Sequence, residues 1–222
     1  MYRYDEEFDL FLEDIGEPKD CVACDEEIIA AYEHKLPEQL FKYWRELGWC
    51  AYGDGLIWMV NPAEYEEVLQ NWIEGTVFED RDDLSVIARS AFGELYVWAK
   101  GKDEILSTDP HLNTITYILE QDESNFSDEE ENKNMRYYWG GQDKKFLDYQ
   151  DDNDPDDLKF KHGLFDRALE KLGPLKSDEM YGFKQNHYLG GKYLIENIDI
   201  YKIEIYYDIA KQIKDVEIVV LK

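Results

Sequence analysis

The residue types best able to do chemistry in this chain are three thiols, Cys21, Cys24 and Cys50, and four histidines, His34, His111, His162 and His187. Cys21 and Cys24 stand at the spacing of half a zinc site. A tetrahedral zinc needs four ligands, commonly from a second cysteine pair or a close histidine pair. Neither is present: Cys50 stands alone, and the histidines are scattered along the sequence. A redox dithiol would open a helix after a strand, whereas this pair follows Pro18-Lys19-Asp20. The thiols are therefore expected to be bystanders, their odd number giving no disulfide framework. No histidine has a nucleophile at telling spacing. No catalytic residue, metal or cofactor is expected.

Carboxylates dominate instead: 51 Asp and Glu oppose 24 Lys and Arg, a formal charge of −27. Residues 1–119 carry −18, residues 120–157 carry −10 and residues 158–222 carry +1. A field of that sign repels nucleic acid and anionic membrane and speeds encounter with a basic partner. Two runs concentrate it, 120–131 (EQDESNFSDEEE) and Asp151-Asp152-Asn153-Asp154-Pro155-Asp156-Asp157. The second has a passing likeness to a calcium loop, but counting from Asp151 it places Asp156 and His162 where Gly and Glu are needed. Acids this abundant also leave open a carboxylate-based hydrolase working in an interdomain cleft, which would require convergent groups with perturbed acidities.

The elements that must position these groups follow from periodicity. Phe8, Phe11, Leu12 and Ile15 recur at helical spacing before Gly16, and Asp25 can cap a short helix through Ile28, Ile29 and Tyr32. Pro37 opens a helix with Leu40, Phe41, Trp44 and Leu47 on one face, and Asn61-Pro62 opens another with Tyr65, Val68, Leu69 and Trp72. Strands are expected at 55–60, at 84–91 and 94–99 as a hairpin, and at 114–119. Ser127 and Glu130 form a capping box for a helix through Tyr138. A helix follows over Phe165–Leu172, then a strand over Ile198–Tyr206, a helix over Asp208–Lys214 and a strand over Val216–Leu221. This order predicts an α+β fold of two small mixed domains, 1–122 and 158–222, joined by an acidic connector, 123–157, that contains a helix. The first fifteen residues lack a basic n-region and an apolar h-region, so a cytoplasmic protein with no membrane contact is expected.

Several stretches carry a family resemblance. Tyr43-Trp44-Arg45, Gly48-Trp49, Asp54-Gly55-Leu56-Ile57-Trp58, Val60-Asn61-Pro62 and Ala91-Phe92-Gly93-Glu94-Leu95-Tyr96-Val97-Trp98 resemble the GAD-like domain. Lys171-Leu172-Gly173-Pro174-Leu175, Asp178-Glu179-Met180-Tyr181-Gly182-Phe183, Leu189-Gly190-Gly191 and Glu196-Asn197-Ile198 resemble the domain that commonly follows it. The pair is similar to immunity proteins of bacterial type VI secretion systems, of the Tde–Tdi kind. The resemblance implies binding to a cognate DNase toxin, a partner with a basic surface, and supplies no catalytic residue. A tRNA-binding role, suggested by the domain's name, conflicts with the charge of the first 119 residues. Glu129, Glu130, Glu131, Asp151, Asp152, Asp154, Asp156 and Asp157 are the candidates for steering and rim contacts, with Trp139 as a partner-facing anchor.

Overall fold

Side-chain caps open some of the helices, whereas Asp25, at the start of the helix Glu26–Tyr32, makes no side-chain capping bond. In the computed structural model, which describes residues 3–152 and 163–221, the Asp5 carboxylate accepts the Phe8 N–H and opens α1 (Glu6–Asp14). After β1 (Lys19–Val22) come α2 (Glu26–Tyr32) and α3 (Glu38–Leu47), the latter closed by Gly48. β2 (Trp49–Tyr52) and β3 (Ile57–Met59) lead to a turn capped by the Asn61 side chain and then to α4 (Glu66–Ile73). Four strands follow: β4 (Leu84–Ser90), β5 (Leu95–Ala99), β6 (Asp103–Asp109) and β7 (Thr114–Ile118). The remaining elements are α5 (Leu119–Glu123), α6 (Asp128–Gly140), α7 (Lys144–Leu147), α8 (Leu164–Leu172), β8 (Glu179–Phe183), β9 (Ile198–Lys202), α9 (Ile203–Ile213) and β10 (Glu217–Leu221). No helix among the described residues is long and apolar enough to cross a membrane.

The fold is α+β. Eight strands form one sheet in the order β1-β2-β3-β4-β5-β6-β7-β10, and β8 and β9 form a separate antiparallel pair. Every pairing in the large sheet is antiparallel except β7 with β10. The sheet therefore crosses the boundary expected near residue 122, because β10 comes from the last residues of the chain. The connector helix α6 packs on α1 and α3.

Two expectations are corrected. The strand expected over Ile198–Tyr206 ends at Lys202, because Ile203, Tyr206, Tyr207 and Ala210 share the buried face of a helix, α9, that begins five residues earlier than expected. The thiols are not all bystanders: Cys21 and Cys50 form a disulfide. Val22 lies opposite Trp49 in the β1–β2 ladder, so Cys21 and Cys50 are cross-strand neighbours. Cys24 is the free thiol among the three, and burial pushes its thiol up to about 11.

A polar seam joins the sheet to the C-terminal elements. Arg89, in β4, is fully buried, donating to the Tyr65 hydroxyl at 3.0 Å and to the carbonyls of Ser90, Lys176 and Ser177 at 3.1–3.2 Å. Its guanidinium also lies 4.4 Å from the Trp58 ring centroid. The Tyr65 hydroxyl in turn donates to the Ser177 carbonyl at 3.1 Å. Buried His111 bridges the Phe92 carbonyl (2.8 Å) and the Tyr206 hydroxyl (2.9 Å). Asn113 donates to the carbonyls of Ala210 and Lys214 at 2.6 and 2.9 Å. Gly93 sits beside this seam with φ at +85°, a backbone conformation that favours glycine.

Two measurements test this packing. Arg89→Lys keeps the charge but loses the planar fork and leaves buried carbonyls unpaired; it should cost about 2–3 kcal/mol in urea unfolding. A loss below about 0.5 kcal/mol would place Arg89 outside the stabilising contacts. Alkylation of air-oxidised protein at about pH 8 should label Cys24 alone, and slowly, with Cys21 and Cys50 labelled only after reduction.

Candidate partner interface

The acid-rich first turn of α6 forms as its capping box predicts. Ser127 accepts from the Glu130 N–H at 3.4 Å, and Glu130 accepts from the Ser127 N–H at 2.9 Å. The Ser127 amide and hydroxyl hold the Glu130 carboxyl below the usual carboxylate range. Four acids at this helix N-terminus also complement its dipole. Glu129 and Glu130 are exposed.

Glu131 faces the opposite way and is corrected as a rim residue. It is fully buried, accepting from the Gly101 N–H at 2.6 Å and pairing with the Lys100 ammonium at 2.6 Å. Trp139 is likewise fully buried, ringed by Phe8, Phe11 and Tyr52 at centroid distances of 5.1–6.1 Å. It is a core residue and not a partner-facing anchor. The cause is helical period: Glu131, Met135 and Trp139 form the buried stripe of α6. Gly140 lets this face approach α1, since a Cβ there would lie 2.8 Å from the Glu7 Cβ.

The second acidic run divides too. Asp151 is buried and paired with Arg167, so its charge is consumed inside the fold. Asp152 is exposed and accepts the Tyr193 N–H at 2.8 Å. Asp154, Asp156 and Asp157 lie outside the described residues. No group of three or more metal-ligating side chains set to hold an ion occurs among the described residues.

A groove that the sequence does not announce lies where the seam reaches the surface. Glu64, Tyr65, Glu67 and Val68 form one wall of a cavity of about 200 Å³, and Ser177, Asp178 and Lys202–Ile205 form the other. A smaller cavity of about 60 Å³ shares Glu64, Tyr65 and Ser177 and reaches Val22 and Trp58. Glu64, Glu67, Asp178 and Glu204 are exposed around an apolar floor of Tyr65, Val68 and Ile203. The single ammonium, Lys202, pairs with Asp178 and holds that carboxyl below its ordinary range. The arrangement is an anionic rim over an apolar floor, suited to a basic or amphipathic protein segment.

Residues 6–109 match the family described as GAD-like domain, and residues 142–214 match the family described as T6SS immunity protein Tdi1, C-terminal. The chain carries both, and the groove takes one wall from each matched segment. Among solved structures it is similar to the crystal structure of Atu4351 from Agrobacterium tumefaciens. That match has 21% identity and a TM-score of 0.81, over 97% of this chain and 93% of that one. The likeness establishes a shared fold. No curated protein matches the chain.

A separate set of carboxyls is mostly buried along β5 and β6. Burial raises Glu94, with Asp109 and Glu104 adding to the rise; it pushes Glu104 up to about 8 beside Asp103, and Asp103 up to about 7 beside Glu131. Asp148 is pushed up to about 6 by burial. None of these four lines either seam cavity. Each binds its proton more tightly folded than unfolded, so its contribution is complete below the unfolded value near 4 and is lost as pH rises through the folded value. Growing surface repulsion acts in the same direction. The melting temperature should therefore fall between about pH 5 and about pH 8.5, and Glu104→Gln should flatten that slope. A profile that is level or rises over this range would contradict the assignment.

Proposed function

We propose that this chain, one of the proteins that pair a GAD-like domain with the Tdi1 C-terminal domain of type VI secretion immunity, binds and neutralises a cognate secreted DNase toxin. The observation that carries the reading is the match of residues 142–214 to the immunity-protein family. The physical chemistry agrees with it. A protein that handles DNA presents cationic surface to phosphates, and an acidic protein competes for that surface. The net charge of −27 supplies long-range attraction, while the floor of the groove supplies apolar area that can be desolvated. Glu64, Glu67 and Glu204 form the near field in this reading, and Glu129, Glu130 and Asp152 steer from farther out.

A DNase meets its substrate in the cytoplasm, so the chain is assigned there. In that reducing compartment Cys21 and Cys50 would be held as thiols, and the disulfide would form in oxidising surroundings.

The test is co-expression with the nuclease encoded beside its gene. Growth should be rescued, and a complex should form whose association rate falls about tenfold or more between 0.05 and 0.5 M salt. Joint replacement of Glu64, Glu67 and Glu204 by Gln should slow association and flatten the salt dependence. Absence of both rescue and complex would end the immunity reading.

A further inference from the structure

The large sheet treats its two edges differently. At one end, β1 is guarded: it is four residues long, carries Lys19 and breaks register between Lys19 and Val22. Charge, irregularity and shortness are the means by which edge strands avoid pairing with other chains.

At the other end, β10 is one residue longer, keeps its register, and carries its one charge, Glu217, at its first position. Glu217–Leu221 pairs in unbroken parallel register with Thr114–Ile118 of β7, and Ile218-Val219-Val220-Leu221 contains no charge, proline or bulge. A continuous apolar run of this kind suits a strand covered on both faces and paired on both sides. Here Val219, Val220 and Leu221 are 45–49% exposed. Among the described residues no hydrogen bond outside the β7 ladder involves Ile218–Leu221. Alternate N–H and C=O groups along its outer edge are thus free to pair with an added strand.

We propose that β10 is a strand-addition site and that its occupant is an extended, Lys- or Arg-bearing segment of the toxin, which rests on the immunity reading above. The open backbone edge demands an extended chain. The charge around it selects a basic one: Glu120 and Glu123 of the adjoining α5, with Asp215, are exposed beside the strand. Lys214 is engaged with Glu217 at 2.9 Å and with the Tyr188 ring at 3.9 Å. A second copy of this chain would bring −27 against −27. The complex would then have two contacts, strand pairing at β10 and the charged groove at the seam.

Hydrogen exchange of the full chain, alone and with a catalytically inactivated form of the neighbouring nuclease, tests this. Amides of residues 217–221 should exchange at least about tenfold more slowly in the complex. Val220→Lys, checked for an unchanged melting temperature, should weaken binding about tenfold, whereas Phe146→Lys, at an exposed position of α7 away from both contacts, should change it less than about twofold. A complex with unprotected β10 amides overturns the proposal and leaves the immunity reading standing. Absence of any complex removes both. A concentration-dependent dimer of the chain alone that protects 217–221 assigns the edge to a second copy and overturns it as well.

Discussion

The architecture depends on a buried guanidinium that, among the described residues, has no carboxylate in contact. Arg89 sits in the middle of the sheet and is satisfied by a phenol, three carbonyls and the face of an indole. Burial lowers its pKa, the direction expected of a site that tends to expel the charge. What keeps it is a set of dipoles that must all be present together, two of them the carbonyls of Lys176 and Ser177 from the C-terminal segment. Removing that segment would strand a cation in an apolar interior, and removing Arg89 would strand the carbonyls. The two family-matched segments are held to one another by this requirement.

The candidate interface is a consequence of the same contact. Ser177, docked by Arg89 and Tyr65, precedes Asp178 on the groove wall, and Tyr65 is both a seam hydroxyl and part of the floor. Rim geometry is thereby tied to the fully buried guanidinium of Arg89. Exposed carboxylates mainly raise encounter rates and set selectivity, whereas residence time comes from apolar area withdrawn from water. The groove provides both within one small surface, with its acids placed on rigid elements.

Elements with a local signal were legible from sequence: α1 and α3 show spacing that their burial repeats, α6 its capping box, and the β4–β5 hairpin two strand-forming runs about Phe92-Gly93. β1 was not, because KDCV is exposed along its whole length and has no pattern to read. β6 begins with two acids that its context buries, and β8 contains Gly182, against which the Tyr201 and Tyr206 rings press. The sign of the candidate site was legible and its address was not. Glu131 carried a usable signal, standing four residues before Met135 and eight before Trp139 on one helical stripe. Arg89 carried another, as the lone charge in an otherwise apolar and small-residue strand. The groove carried none, since its walls lie more than a hundred residues apart.

These placements divide the acid surplus into three populations with different physics. Glu131 and Asp151 are spent inside the fold against Lys100 and Arg167. Glu94, Glu104 and Asp103 are pushed by burial toward their protonated forms, so near neutrality they add less to the field than a formal count assigns. Only the exposed population, including Glu64, Glu67, Glu129, Glu130 and Glu204, projects at full strength into solvent. A partner meets a field set by which carboxylates the fold leaves outside, and α6 shows how fine that division is. Glu130 and Glu131 are adjacent in sequence, yet one belongs to the surface and the other to the core.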